Sequence, residues 1–397
     1  MENNSHQITN NSNYCRIYLK RIRDTSLVGV TFKIGIKNCI KAGVPHLFEH
    51  LLVNQIFKFK NIIVRGSTTE RNISIVFLGE KNMMDKIIPI ITDKITNLSI
   101  SIKQLNFEKK VVNQEILEYQ VNNLQRFAIK ARNKTFGSDR LTNDKVLGTQ
   151  EELDTITVTS INKFIENNVY SENMRIFIVG KDIDKYYSIF KKLYITKIGS
   201  NKKQYLTTKS HISNFKDKTI FLNEKNSTTK LARISYIKKL SSNELYKDKI
   251  LALSLLFSEL TSGKNALLKI LKEKLGEVYF VKIIPIYYNN EIYIQFITSC
   301  FHTKTVDCIN YINYAIHKLV NLDEDDLENA IINLKLHQNL LFDGVLKSVQ
   351  SFASMEEAQE DIVNIEDVNK QKIKILYRKL IDFLIVNKDK SVVVEYE

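Results

Sequence analysis

The 397-residue chain is poor in several residue types, with no Trp, three Pro, four Cys and seven His. The cysteines form no Cys-x-x-Cys pair, which excludes a zinc-finger spacing, and we expect them to be reduced thiols without a special role. No stretch approaches the ~18 consecutive apolar residues of a membrane span. Residues 1–13 are polar and Asn-rich, unlike a secretory signal. We therefore expect a cytoplasmic protein with no membrane span.

The charge balance is strongly basic, with a formal net charge of +14. Such a charge can attract nucleic acid. The lysines, however, are spread along the chain and form no arginine-rich patch, so solvated surface charge is the simpler interpretation and we expect no nucleic-acid partner. A hydrophobic content of 44% over this length is typical of a globular protein with two domains.

Two of the few histidines fall within one short motif. Residues 46–50 read His-Leu-Phe-Glu-His, inside an apolar segment, 42–57, that is compatible with a helix. Because residues four apart share one face of a helix, His46 and His50 could hold one zinc ion, and Glu49 could reach a water on that metal. This spacing is the inverted zinc-protease motif, and it favours a metal-assisted hydrolase. The alternative is an amphipathic helix with two incidental histidines.

A third metal ligand has to come from another element. The predicted helix 105–122 carries Glu108 and Glu115, which are seven residues apart and therefore lie on nearly the same face. This spacing suits one carboxylate as a metal ligand and the other as a partner that orients the ligand set. The alternative is a solvent-facing acidic stripe on an amphipathic helix.

The order of predicted elements occurs twice. In the first half, a polar turn at 65–70 is predicted before the strand 72–78, and a polar stretch is predicted between the helices 105–122 and 160–167. The strands of the first half are predicted at 16–20, 27–36, 72–78 and 174–180, and its helices at 42–57, 85–95, 105–122 and 160–167. The strands of the second half are predicted at 219–222, 231–237, 278–285, 291–297 and 391–396, and its helices at 246–261, 305–319, 325–341 and 368–383.

Matching elements of the two halves lie roughly 215–220 residues apart, as an internal duplication predicts. Strands mixed with long helices indicate an α+β fold in which helices pack against a sheet. We therefore predict two homologous α/β sandwich domains, 14–195 and 219–397. The segment 196–218 is rich in Lys, Ser, Thr and Asn and is predicted to be a linker.

The two predicted domains differ where the chemistry would lie. The second-half helix 246–261 contains no histidine. On the helix 325–341, Glu328 lies near the register of Glu108, whereas Lys335 lies near that of Glu115. The sequence therefore predicts a metal site in the first domain and none in the second.

These segments resemble the insulinase/pitrilysin-type zinc metallopeptidases, especially the small bacterial members that are similar to the mitochondrial processing peptidase. Residues 43–52, GVPHLFEHLL, resemble the G-x-x-H-x-x-E-H signature of the family. Residues 107–115 resemble its downstream helix, and residues 148–153 and 170–180 resemble its later landmarks. Residues 271–279, LKEKLGEVY, resemble its L-R-E-K-x-G-x-x-Y segment. The resemblance covers nearly the whole chain.

The resemblance implies a Zn²⁺ ion held by His46, His50 and Glu115. It also implies that Glu49 is the general base and that Glu108 is an accessory carboxylate.

The resemblance also implies that Tyr279 matches the family's tyrosine, which, together with an arginine, binds substrate backbone and stabilises the tetrahedral intermediate. Lys272 stands at the arginine position, which keeps the charge but loses the planar fork of donors. Residues 65–69, RGSTT, replace the family's Gly-Gly-x-x-Asn-Ala-x-Thr, so its substrate-binding asparagine has no clear counterpart.

Family members of this length resemble half of a clamshell, and two such chains enclose a chamber in which the zinc of one chain faces the tyrosine segment of the other. The resemblance therefore implies a zinc endopeptidase that cleaves peptides or leader segments, as a homodimer or as a heterodimer with a related subunit. Peptide or bacteriocin maturation is the pathway that the analogy suggests. The alternative is a non-catalytic or weakly active partner subunit that binds peptide.

Overall fold

The described residues form two compact units. The computed structural model describes residues 7–8, 16–36, 41–56, 59–69, 72–121, 123–137, 146–196, 215, 217–223, 230–242, 247–288, 291–341, 343–354 and 370–396. The first unit is drawn from segments 1–121, 142–205 and 339–362, and the second from segments 122–141, 206–338 and 363–397. The two units are therefore interleaved along the sequence.

A mixed sheet forms the centre of the first unit. Its strands are β1 (Gln7–Ile8), β2 (Arg16–Arg21), β3 (Leu27–Gly35), β4 (Ile62–Thr68), β5 (Asn72–Glu80) and β6 (Met174–Gly180). They are arranged in the order β1-β2-β6-β3-β5-β4, in which only β2 and β6 are parallel neighbours. After its first residue, β3 is buried at every position. Burial of both faces of a strand requires a layer of structure on each side of the sheet.

Six helices of the first half belong to the first unit, and several of them cover one face of this sheet. They are α1 (Val44–Ile56), α2 (Lys81–Thr96), α3 (Ile102–Val121), α5 (Gln150–Asp154), α6 (Val158–Asn168) and α7 (Asp184–Thr196). Helix α4 (Asn123–Phe136) belongs to the second unit. Apolar side chains of α1, α2, α6 and α7 share one hydrophobic core with alternate positions of β3 and β5. The apolar periodicity of these helices is what brings one side of each onto the sheet.

The second unit has a sheet of the same connectivity. Its strands are β7 (Lys218–Phe221), β8 (Leu231–Ser242), β9 (Val281–Tyr288), β10 (Glu291–Phe301) and β11 (Lys390–Tyr396). They lie in the order β7-β11-β8-β10-β9, with only β7 and β11 parallel. Apart from the short β1, each step from strand to strand repeats the pattern of the first sheet.

The remaining helices follow in the second half of the chain. They are α8 (Lys247–Ser262), α9 (Leu267–Leu275), α10 (Thr305–Lys318), α11 (Glu324–Leu341), α12 (Gly344–Ser354) and α13 (Lys370–Val386). Helices α8 to α11 and α13 pack on one face of the second sheet around a single hydrophobic core.

Helix α12 belongs instead to the first unit and covers the other face of the first sheet. Phe352 stacks on Phe177 of β6, with ring centroids 4.9 Å apart. Thr31 donates a hydrogen bond to the carbonyl of Val349 at 3.0 Å, and Lys33 donates one to the carbonyl of Phe352 at 3.2 Å. The carbonyl of Phe352 lies in the last turn of α12, where it has no partner within the helix, so strand β3 supplies a donor there.

Helix α4 covers the corresponding face of the second sheet. Phe127 and Ala131 form a small core with Ile297 and Val393. Gln295 accepts a hydrogen bond from Arg132 at 2.7 Å. Each sheet thus buries its second face under a helix that comes from the other half of the chain.

The fold class predicted from the sequence is confirmed, because both units are α+β layers of helices against a sheet. Two local assignments were wrong, and one helix was not predicted. Residues 65–68 belong to strand β4, where pairing with β5 outweighs their polar, turn-like composition. The supposed polar stretch after residue 122 contains helix α4, and residues 344–354, which had no assignment, form helix α12.

The described residues include only part of the segments on which the other expectations depend. The linker 196–218 lies mostly outside the described residues, so the predicted domain boundaries stay predictions. Cys300 and Cys308 are free and buried, whereas Cys15 and Cys39 lie outside the described residues. None of the described helices combines the length and the apolar character that crossing a bilayer requires.

The packing of α12 against the first sheet can be tested by truncating its buried aromatic residue, Phe352. We expect Phe352→Ala to lower the free energy of unfolding by about 3–5 kcal/mol, because it opens a cavity against Phe177. Leu346 is exposed on the same helix, and Leu346→Ala should change stability by less than about 0.5 kcal/mol. Urea unfolding followed by circular dichroism measures both values. Equal and small effects would contradict the packing of α12.

Candidate metal centre

Helix α1 begins at a glycine and carries the motif on one face. Gly43 has a φ of 77°, a left-handed conformation, and its carbonyl accepts the N–H of Leu47 at 2.9 Å. Pro45 lies in the first turn, where a backbone N–H has no helical partner. Leu47 and Leu51 enter the core of the first unit. His46 and His50 follow on a neighbouring face.

The two imidazoles meet a carboxylate from α3. His46 Nε2 lies 2.9 Å from Glu115 Oε2, and His50 Nε2 lies 3.4 Å from Glu115 Oε1. Among the described residues, these three side chains are the one group of His, Cys, Asp and Glu whose ligand atoms lie close enough to share a metal ion, all within 4.8 Å of one another. The predicted ligand set is therefore assembled at one place.

The donor set fits zinc. A tetrahedral zinc with bonds of about 2.0–2.2 Å to nitrogen and oxygen places neighbouring donors about 3.3 Å apart, close to the spacing of these atoms. Two imidazoles and one carboxylate are a common protein contribution to a catalytic zinc site, which keeps one position open for water. His46 Nδ1 is buried and has no hydrogen-bond partner among the described residues. The atoms that face one another in this group are therefore the Nε2 atoms of the two histidines and the carboxylate oxygens of Glu115.

The electrostatics of the three groups are coupled. Hydrogen bonds from His46 and His50 lower the pKa of Glu115 to about 2, in spite of its partial burial. Burial alone would lower the pKa of His50, but the hydrogen bond to Glu115 and the charges of Glu49, Glu115 and Glu108 outweigh it and raise this pKa. Without a metal, the site therefore favours an imidazolium–carboxylate pair, so a proton competes with a metal ion for His50.

Glu49 lies beside this group but is held by a different element. Its side chain is buried, with the residue 6% exposed, and Thr68 of β4 donates a hydrogen bond to its Oε2 at 3.2 Å. Burial raises the pKa of Glu49 even though the charges of His46 and His50 oppose the shift. A carboxylate with a raised pKa exchanges protons more readily near neutral pH than an exposed one.

Gly66 of β4 provides the space for Glu49. A Cβ atom at this position would overlap Oε1 and the carboxyl carbon of Glu49. Any larger residue would have to displace either the strand or the carboxylate. The glycine in the middle of β4 is thus required by a close approach, and not by a turn.

Glu108 occupies the second carboxylate position of α3. It is 4% exposed, and its Oε2 lies 3.3 Å from His50 Nδ1, the ring nitrogen that faces away from Glu115. Its Oε1 accepts a hydrogen bond from Asn54 Nδ2. The carboxylate is therefore placed to orient the ring of His50, as accessory carboxylates at metal sites commonly do.

The other two predicted site residues belong to the second unit. Lys272 is exposed in the last turn of α9, which ends at Gly276 in a left-handed conformation. Tyr279 follows in the segment before β9 and is 83% exposed. The five residues His46, Glu49, His50, Glu108 and Glu115 come together in the first unit, and Lys272 and Tyr279 are not part of that group.

In the second unit, the carboxylate near the register of Glu108 forms an ion pair with a lysine. Its helix α11 carries Glu328, near the register of Glu108, and Glu328 Oε1 accepts a hydrogen bond from Lys374 of α13 at 2.7 Å. Lys374 is buried and also donates to Glu324 at 2.6 Å. The side chain of Lys335 lies outside the described residues, so its predicted match to Glu115 stays a prediction.

Sequence reasoning missed three residues of the site. Asn54 lies one turn beyond His50, where the helical spacing could have indicated it. Gly66 and Thr68 were assigned to a turn, and only the pairing of β4 with β5 brings them to Glu49. Their signal was the apolar, β-branched run immediately before them, which is typical of a strand.

Comparisons with known proteins agree with this fold. A family profile described as the peptidase M16 inactive domain matches residues 155–334. The match begins after Glu115 and therefore does not include the metal-binding group. No curated protein sequence matched the chain.

Solved structures match over nearly the full length. A protease from Helicobacter pylori superposes with a TM-score of 0.74 at 15% identity, covering 99% of both chains. A peptidase M16 inactive domain from Pseudomonas fluorescens gives a TM-score of 0.74 at 11% identity, covering 98% of this chain and 97% of that chain. At such identities the likeness establishes that the chain shares the fold of these structures, and the fold alone does not establish the activity.

The coupling of His50 to Glu115 predicts how zinc binding depends on pH. Because the hydrogen bond to Glu115 and the nearby carboxylates raise the pKa of His50, zinc has to displace a proton from this ring at a higher pH than from a free imidazole. The affinity should therefore fall at least about tenfold per pH unit below the pKa of His50. Glu115, with its pKa of about 2, stays ionised and adds no dependence in this range. Competition with a chromophoric chelator between pH 8 and 5 measures the affinity.

His317 provides a matched control, because it is exposed on α10 of the second unit. His317→Ala should leave the affinity and its pH dependence unchanged, whereas His50→Ala should weaken binding strongly. An affinity that does not change between pH 8 and 5 would contradict the assignment of His50 as a ligand.

Proposed function

We propose that the chain is a zinc-dependent endopeptidase. The observation that carries this proposal is the convergence of His46, His50 and Glu115 next to a buried Glu49. Two imidazoles, one carboxylate and a neighbouring basic carboxylate are the groups that metal-assisted hydrolysis of a peptide bond requires. The fold of M16-like peptidases supports the same reaction class.

Each residue has a distinct role in this proposal. Zinc, when bound, supplies a Lewis acid and makes water a stronger nucleophile. His46, His50 and Glu115 would hold the ion, and Glu108 would keep the ring of His50 in place. Glu49 accepts the proton of the attacking water on its carboxylate and then passes it to the leaving amine. Thr68 donates a hydrogen bond to one oxygen of the Glu49 carboxylate and thereby fixes the orientation of this carboxylate towards the water.

An extended peptide is the substrate that suits this site. In the described part of the first unit, β4 forms an edge of the sheet, so one side of its backbone has no neighbouring strand. Such an edge can bind an extended peptide through main-chain hydrogen bonds. Gly66 and Thr68 of this strand contact Glu49, which would bring a bound peptide close to the candidate base.

The general base can be tested by a near-isosteric substitution. We expect Glu49→Gln to retain zinc but to lower kcat by about 10²–10⁴, because an amide cannot accept the proton. A library of internally quenched peptides gives the rate, and metal analysis gives the zinc content. Glu118 is exposed on α3, and Glu118→Gln should preserve both. Unchanged turnover by Glu49→Gln would remove Glu49 from this role.

A non-catalytic, peptide-binding partner subunit is the second candidate function. Lys272, which stands in place of the arginine expected in the family segment, is the observation that favours it. The complete set of His46, His50, Glu115 and Glu49 favours catalysis. A full chain that lacks zinc and cleaves no peptide in the library, yet retains peptides, would support the partner subunit instead. A cytoplasmic location suits either role and remains a prediction.

We further propose that Tyr279 and Lys272 act on a substrate held between two chains, in a homodimer or a heterodimer with a related subunit. The high exposure of Tyr279 supports this proposal. A large aromatic side chain with this degree of exposure is available to contact a partner or a substrate. Sedimentation velocity at micromolar concentrations should find two chains associated, or should do so only after a related subunit is added. A fully active monomer at all concentrations would contradict the assembly.

A further inference from the structure

We propose that Asn54 is a positioning residue for the metal site: it holds the Glu108 carboxylate so that the carboxylate, in turn, holds the ring of His50. The inference rests on the proposed function, because it concerns the binding of zinc at His46, His50 and Glu115. The juxtaposition that carries it is the hydrogen-bonded chain from Asn54 through Glu108 to His50.

The geometry assigns one oxygen of Glu108 to each neighbour. Asn54 lies four residues after His50, one turn further along α1, so both side chains point towards α3. Asn54 Nδ2 donates to Glu108 Oε1, while Glu108 Oε2 lies 3.3 Å from His50 Nδ1. Because both oxygens of the carboxylate are engaged, its rotation about the terminal bond would break one of the two contacts.

The orientation of Glu108 has a consequence for zinc. A carboxylate facing Nδ1 favours the tautomer that carries its proton on Nδ1, which leaves the lone pair of His50 Nε2 free for a metal. Nε2 is the nitrogen that faces Glu115, at 3.4 Å from Oε1. A carboxylate that lost its partner at Oε1 could turn away from His50 and leave the imidazole free to rotate or to change tautomer.

The chemistry of the amide is what this role requires. An asparagine presents two N–H donors to an acceptor-only carboxylate. An aspartate has the same shape but would face Glu108 with a second negative charge and no donor. The adjacent Gln55 makes a different contact, since its Nε2 donates to the carbonyl of Ser99 at 2.6 Å. Gln55 is therefore a control on the same helix, with a hydrogen bond to the backbone and none to the site.

The test measures the zinc affinity of the full-length metal-free chain by chelator competition. We expect Asn54→Asp to weaken zinc binding by about 10- to 100-fold and Asn54→Ala by about tenfold, the range that partners of metal ligands typically contribute. Asn54→Gln, which keeps a donor on a longer arm, should restore the affinity to within a few-fold. Gln55→Ala should bind zinc as the parent chain does.

A second measurement separates positioning from a simple link between α1 and α3. Urea unfolding of the metal-free variants reports the structural contribution of the contact. We expect Asn54→Ala to bind zinc more weakly even though its metal-free unfolding transition stays close to that of Gln55→Ala. The absorption spectrum of the cobalt-substituted protein should also change in Asn54→Ala, because it reports the geometry of the ligands.

Two results would overturn the inference and are distinguishable from each other. If Asn54→Ala and Asn54→Asp bind zinc as the parent does, Asn54 does not position the site, and the proposed function is unaffected. If the parent chain itself binds no zinc, both the inference and the proposed zinc peptidase fail. Should Asn54→Asp not fold, the comparison of Asn54→Ala with Gln55→Ala still decides the question.

Discussion

The central constraint of the first unit is that two imidazoles of α1 and one carboxylate of α3 meet at 2.9–3.4 Å in a partly buried place. Three such groups are costly to bring together unless they bind a proton or a cation in common, because burial disfavours isolated charges. Hydrogen bonds from His46 and His50 lower the pKa of Glu115, and the hydrogen bond to Glu115 and the nearby carboxylates raise the pKa of His50 in spite of burial. A zinc ion would satisfy the same three groups at once. The surrounding residues are arranged around this group: Asn54 contacts Glu108 and Glu108 contacts His50, while Thr68 holds the Glu49 carboxylate and Gly66 leaves space for it.

The second unit shows how one topology can carry a different interaction at a related place. Its sheet repeats the strand order and the parallel pair of the first, yet its helix α8 has no histidine. A carboxylate on α11, Glu328, is neutralised by the buried Lys374 instead. A lysine supplied by a neighbouring helix satisfies that charge without a metal. The same strand order therefore forms around two different groups of side chains, only one of which has ligand atoms close enough to share a metal ion among the described residues.

The interleaved construction of the two units follows from the amphipathic character of sheets with two buried faces. Helices of its own half cover only one face of each sheet, so the other face would leave apolar residues such as Phe177 and Val393 exposed to water. Helix α12 covers the first sheet and helix α4 the second, and each makes hydrogen bonds to side chains of the sheet that it covers. Because the contacts that define each unit are made by distant segments, the boundaries of the units cannot be read from consecutive residues.

The sequence by itself determined the local chemistry and the repeated order of elements. The spacing of His46, Glu49 and His50 on one helix, and of Glu108 and Glu115 on another, follows from helical periodicity, which depends only on neighbours along the chain. Only the tertiary structure decided which elements meet. It placed residues 65–68 in an edge strand against Glu49, brought Asn54 to Glu108, and assigned α4 and α12 to the sheets that they cover. Those contacts are set by strand pairing and by the burial of apolar faces between segments far apart in sequence, and no local pattern encodes them.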